Sequence, residues 1–210
     1  MIKAVVFDFG GVVHTLENVF SGEEIAHAYR LTLDEIKPTL TPLMEKMSIG
    51  KISEFEFWHK LSAQLRKPVP RNYFNLLRSN LRNHAKLHPE IAKLVEKLKK
   101  KNIKTVVLSN TIPPHAEVLK QKGWYQLFDS VFLSYKLGLR KPNIEIFQWV
   151  LDHLRLKGNK CIYVDDLKEN LRAAQKLKMK CLLAIEPQQV VNDIERLLTR
   201  NSHITSTPRK

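Results

Sequence analysis

Four short segments hold the side chains that could do chemistry: Val5-Val6-Phe7-Asp8-Phe9-Gly10-Gly11-Val12, Val107-Leu108-Ser109-Asn110, Arg140-Lys141-Pro142 and Tyr163-Val164-Asp165-Asp166. Each sets polar groups where an apolar run ends or a helix begins. Asp8 follows four apolar residues and precedes a glycine turn. A carboxylate there can ligate a hard cation or attack an electrophile, or merely cap a loop. Asp165 and Asp166 repel each other unless a cation sits between them, and magnesium is the usual remedy; standing alone, the pair would equally suit an acidic turn before a helix. Ser109 and Asn110 offer hydroxyl, amide and backbone donors to an anionic oxygen. Lys141 stands at the start of a helix, where a cation opposes the macrodipole, so an anionic partner is expected. Brought together, these groups make a site for a divalent cation and a phosphoryl group. Two residues after Asp8, where a general acid would be useful, stands Gly10.

Such convergence needs strand ends side by side. Apolar, β-branched runs at 2–7, 103–108, 130–133, 160–164 and 181–185 read as strands buried on both faces. Helical patterns at 89–101, 113–122, 143–156, 167–178 and 187–199 separate most of them, and prolines at 89, 113 or 114, and 187 suit first-turn positions. Alternation of this kind predicts an α/β fold with a parallel sheet core, and in such sheets ligands bind at the carboxyl ends of the strands. About ninety residues separate the first two strands, far more than one crossover needs. Residues 15–85 therefore read as an inserted helical cap, and residues 1–14 with 86–200 as the α/β core. Thr32-Leu33-Asp34-Glu35 and Ser53-Glu54-Phe55-Glu56 are capping-box patterns. Phe55, Trp58, Leu61 and Leu65 recur at helical spacing and predict the packing face of that cap. Residues 201–210 are polar and without periodicity, and are expected to be disordered.

Together the four segments resemble the haloacid dehalogenase superfamily, mostly magnesium-dependent phosphatases, over nearly the whole chain. The Asp-Phe-Gly-Gly-Val form, Gly-Lys-Ile-Ser at 50–53 and Leu-Gly-Leu-Arg-Lys-Pro at 137–142 are most similar to the subgroup with bacterial glucose-1-phosphate phosphatases and the N-terminal phosphatase domain of soluble epoxide hydrolases. The resemblance implies a Rossmann-like core with a type-one cap, and a role for each residue. Asp8 would be the nucleophile, becoming an aspartyl phosphate. Ser109 and Asn110 would hold the phosphoryl oxygens, and Lys141 would offset the charge. Mg²⁺ would be bound by Asp8, the carbonyl of Gly10 and Asp166, with Asp165 a direct or water-mediated ligand. Asn170 matches a supporting position. Most such phosphatases carry a second Asp where Gly10 stands; a positioned acid contributes roughly 10²- to 10⁴-fold, so a slow enzyme is expected rather than an inactive one. His14, just past the glycines, could donate a proton instead, though a surface role suits it as well.

The rest of the composition is consistent with this reading. The chain is 43% hydrophobic and 27% charged, as globular proteins are. No apolar run reaches the roughly 20 residues a bilayer needs, and no secretory signal opens the chain, so no membrane association and a cytoplasmic location are expected. Cys161 and Cys181 sit in apolar runs as buried thiols do, without metal-ligand spacing. The formal charge is +14, and residues 66–104 hold twelve of the 35 basic residues and two of the 21 acids. With no recognised nucleic-acid motif, the excess reads as solvated surface and general attraction of anions, not a nucleic-acid interface.

The leading function is hydrolysis of a small phosphorylated substrate such as a sugar phosphate. Two other classes compete: a metal-independent 2-haloacid dehalogenase, in which Asp8 attacks carbon, and a regulatory protein that binds phosphate without efficient turnover. The sequence leaves the oligomeric state open.

Overall fold

The computed structural model describes residues 1–15 and 22–200; the expectation of disorder at 201–210 lies outside that range. Five strands, β1 (Ala4–Phe7), β2 (Lys104–Ser109), β3 (Ser130–Leu133), β4 (Cys161–Asp165) and β5 (Lys180–Leu183), form one sheet in the order β3-β2-β1-β4-β5. All four pairings are parallel. Phe7 lies opposite both Val107 and Val164, so Asp8 leaves the central strand between the ends of β2 and β4.

Strand side chains alternate between two faces, and each face finds its own helices. Val5, Phe7 and Val107 join a cluster with Ile91, Leu94, Val95 and Leu98 of α6 (Pro89–Lys100), Val118 of α7 (Pro113–Gln121) and Ile194 of α11 (Pro187–Arg200). Ala4, Val6 and Val106 face the other way, onto Ile146, Phe147 and Val150 of α9 (Ile144–Leu154) and Leu171 and Ala174 of α10 (Lys168–Lys176). The result is the Rossmann-like, doubly wound α/β layering that the alternation of strands and helices predicts.

The long insertion brings α1 (Gly22–Ala28), α2 (Leu33–Ser48), α3 (Glu54–Leu65), α4 (Tyr73–Leu76) and α5 (Ser79–His84). Both capping boxes form: the Thr32 N–H donates to Glu35 Oε2 at 2.7 Å and the Glu35 N–H to Thr32 Oγ1 at 3.3 Å, with the matching pair at Ser53 and Glu56. These helices bury a core of their own, with Ile25, Ile36, Leu40, Leu43, Met47, Phe57, Trp58 and Leu61. The expected stripe needs one correction. Phe55 is 64% exposed and stacks on His59 at 3.9 Å, while Phe57 takes the buried place. A helix turns 100° per residue, so Phe57, Trp58 and Leu61 share one face and Phe55 falls on another.

Three polar ties join these helices to the sheet domain. Ser134, first residue of α8 (Ser134–Leu137), donates from Oγ to the Ser48 carbonyl at 2.6 Å. Arg140 pairs with Glu45 at 2.8 Å. Arg78, buried, grips Glu54 of α3 with two bonds of 2.7 and 2.8 Å and Glu117 of α7 at 2.9 Å. Cys161 is buried, Cys181 half-buried, and both are free thiols. Among the described residues no helix is long and apolar enough to cross a membrane.

Candidate active site

Parallel pairing aligns the strand ends, and the reactive groups project from them. The Asp8 N–H donates to the Val164 carbonyl at 2.8 Å, locking β1 to β4 at the point where the chain leaves the sheet. Gly11 then takes φ 79°, a left-handed conformation that favours glycine. Asp8 Oδ1 accepts from the Phe9 N–H at 2.7 Å and lies 2.7 Å from Lys141 Nζ. The same ammonium donates to Asp165 Oδ2 at 2.8 Å. One lysine, itself only 2% exposed, thus bridges two strand-end carboxylates.

Asp165 is fully buried and surrounded by donors. Its Oδ2 accepts from Lys141 Nζ, the Tyr163 hydroxyl and Asn170 Nδ2; its Oδ1 accepts from the Leu167 N–H and from Asn170 Nδ2. Asp166 is half-buried and makes no ion pair among the described residues. Burial pushes its carboxyl up, and the neighbouring charge of Asp165 pushes further. Burial likewise drives Asp8 up to about 6, against the downward pull of Lys141. Lys141 would lose its proton more easily on burial alone, but Asp8 and Asp165 outweigh that and hold it charged. Burial and the Asp165 charge keep the Tyr163 hydroxyl protonated, and so a donor.

Oxygens of Asp8, Asp165 and Asp166 lie within 4.8 Å of one another, a spacing that could hold a metal ion. Carboxylate and carbonyl oxygens suit a hard cation such as magnesium. Asp166, with no ion pair among the described residues, fits that group, and Gly10, two residues after Asp8, carries a backbone carbonyl. Asp165, by contrast, has donors on both oxygens.

The remaining expected residues fall as follows. Ser109 is buried at the carboxyl end of β2. Asn110 follows it, but its side chain is occupied at both ends: Nδ2 donates to the Lys141 carbonyl at 2.8 Å and Oδ1 accepts from the Lys141 N–H at 2.9 Å. Asn170, at the start of α10, supports Asp165 through the two bonds above. His14 is buried, not at the surface, with Nδ1 2.7 Å from the Thr15 carbonyl and its ring between Phe9 and Trp124; burial pushes its pKa down to about 4. Tyr163 escaped the reading of the sequence, although a signal was present: residues two apart on a strand face the same side, which places Tyr163 under Asp165. Arg140 also went unread; it points across to the helical insertion while its neighbour Lys141 points into the site.

A model of the family described as haloacid dehalogenase-like hydrolase matches residues 2–178. A sesquiterpene phosphatase of Aspergillus oryzae is 27% identical over 181 residues, spanning 84% of this chain and 87% of that protein. Acyl-CoA dehydrogenase family member 10 of Mus musculus is 29% identical over 212 residues, covering 96% of this chain but only 20% of its own length. Among solved structures, a haloacid dehalogenase family enzyme of Bacteroides thetaiotaomicron, in complex with magnesium and inorganic phosphate, shares the fold with a TM-score of 0.72 at 20% identity, covering 88% of this chain and 95% of that one.

Proposed function

The chain belongs to the haloacid dehalogenase-like hydrolases, and we propose that it is a magnesium-dependent phosphatase of a small phosphorylated metabolite. One observation carries this reading: Lys141 neutralises Asp8 and Asp165, at 2.7 and 2.8 Å, while Asp166 stands beside them with no ion pair among the described residues. A carboxylate so placed calls for a cation, and the metal-independent dehalogenase has no use for it. The phosphatase relative and the magnesium and phosphate held by the structural neighbour support the same conclusion.

In this reading Asp8, Asp166 and the Gly10 carbonyl hold the metal, and Asp165 holds Lys141. When bound, the magnesium ion supplies positive charge to the phosphoryl oxygens. Asp8 attacks phosphorus; the bond to the alcohol oxygen breaks, and the electron pair leaves with that oxygen, which takes a proton from water. Lys141 offsets the charge shared between Asp8 and the phosphoryl group, and the Ser109 hydroxyl orients it. Asn110 acts by fixing the Lys141 backbone. A water then attacks phosphorus and frees the Asp8 carboxylate. Gly10 brings no acid to either step, and His14, uncharged and turned to Phe9 and Trp124, is assigned to packing. Turnover is therefore slow, and fastest for esters whose alcohol leaves easily, such as an anomeric sugar phosphate. The helices α1 to α5 form the cap that selects the substrate.

The test is release of inorganic phosphate from a panel of phosphate esters with and without Mg²⁺. Release that is lost in Asp8→Asn and on chelation of the metal is the expected result. Halide release from 2-haloacids without metal would replace this reading with a dehalogenase, and phosphate binding without release would replace it with a regulatory protein.

A further inference from the structure

Beside Asn110, a cleft of about 350 Å³ opens between α2 of the insertion and the start of α7. Leu40, Met44 and Ile112 supply its apolar wall, and Thr41, Ser48 and Arg140 its polar groups. Arg140 is the unusual member. Its Nη1 reaches Glu45 at 2.8 Å, yet its Nε is buried and has no hydrogen-bond partner among the described residues. A guanidinium presents its donors as a planar fork matched to a carboxylate or phosphate, and a buried N–H without an acceptor is costly. The Glu45 side chain is 55% exposed, and ion pairs that open to water contribute little, so an incoming anion can displace it. The position is also fixed. Asn110 clasps the next residue, Lys141, by its N–H and its carbonyl, which leaves Arg140 one residue from the ammonium that touches Asp8.

We infer that Arg140 is a second anion anchor, and that the preferred substrate carries, besides its phosphoryl group, another anionic group held in the cleft between α2 and α7. This rests on the phosphatase reading for the first anchor and adds to it the class of the substrate. Glu45 occupies Arg140 in the empty site and yields it to the ligand.

The two partners should therefore act in opposite directions. Calorimetric titration in Mg²⁺ with three phosphonates of equal chain length measures this without turnover: propylphosphonate, 3-phosphonopropionate and propane-1,3-bisphosphonate, which end in a methyl, a carboxylate or a second phosphonate. The expected result is at least tenfold tighter binding of one or both dianchored ligands than of propylphosphonate, with the two arms telling carboxylate from phosphonate. Arg140→Gln should erase that preference, Arg140→Lys should restore part of it, and Glu45→Gln should widen it two- to fivefold. If propylphosphonate binds and the others bind no better, the second anchor is refuted while the phosphate site stands. If none binds, both fail. Equal weakening of all three ligands by Arg140→Gln and Glu45→Gln would reduce the pair to a cap latch and overturn the inference.

Discussion

Asp165 and Asp166 show how residues of one charge take different positions through their neighbours. Two adjacent aspartates, Asp165 and Asp166, look interchangeable in sequence. In the fold, Asp165 is saturated by Lys141, Tyr163, Asn170 and a backbone N–H, whereas Asp166 is half-buried and its carboxyl is pushed up by burial and by Asp165. The motif was legible; the division between its members was not, because it depends on Lys141, 24 residues away, as well as on donors along β4 and at the start of α10. Asn110 teaches the same lesson, since its amide meets a backbone 31 residues away. Asn170→Leu removes the donor shared by both Asp165 oxygens, and groups that orient a site from behind cost about 10- to 100-fold when lost. We expect that loss in kcat, with about 1 to 3 kcal/mol of stability, read by steady-state kinetics and urea unfolding. Unchanged kcat would free Asp165 from any positioning task.

Elements were the most readable level. The expected strand at 130–133 is Ser130–Leu133, and the others shift by one or two residues at their ends. Buried parallel strands announce themselves through unbroken apolar runs, and both capping boxes formed where the pattern put them. α2 runs through Pro38 and Pro42, each of which removes a helical hydrogen bond. Both prolines are exposed, while Ile36, Leu40, Leu43 and Met47 are buried on the other side, so packing of that face outweighs the loss. Gly50, just after α2, has φ 69°, and a Cβ there would sit 2.3 Å from the Tyr135 carbonyl oxygen. The insertion is pressed onto the sheet domain at that point, two residues from the Ser48 carbonyl that Ser134 holds. Gly50→Ala should cost about 1 to 3 kcal/mol through backbone strain and the displaced contact. It should also raise KM several-fold by shifting the cap, and thermal unfolding with kinetics would reveal a stable, fully active variant if the contact were unimportant.

At the scale of the whole molecule, folding buries groups that the unfolded chain exposes. Burial pushes His14 and His115 down to about 4 each, with smaller contributions from nearby charges. Their folded values lie below the ordinary 6.5, so the stability they allow is present above that pH and is lost as pH falls toward 4. Between pH 7 and 5 each histidine removes about 2 kcal/mol. Asp8 runs the other way: raised to about 6, it binds its proton more tightly when folded and returns about 1 kcal/mol over the same interval. The net expectation for metal-free protein is a loss of about 3 kcal/mol from pH 7 to 5, and His14→Gln should flatten most of it. Urea unfolding at the two pH values decides the matter, and a slope unaffected by the substitution would remove His14 as its source.

Sequence alone determined the parallel α/β core, the helical insertion and the four polar segments at strand ends and helix starts, because apolar runs, glycine turns and capping residues act over a few positions. Tertiary structure decided which carboxylate Lys141 shares with Asp8, that Asn110 holds a backbone, that His14 is buried, that Phe55 faces solvent, and that Arg140 lines a cleft with an unpaired Nε. Apart from Phe55, whose place follows from the turn of its own helix, these outcomes depend on partners far away in the chain, brought near only when helices and sheet pack, and no local pattern of residues encodes the distance between them.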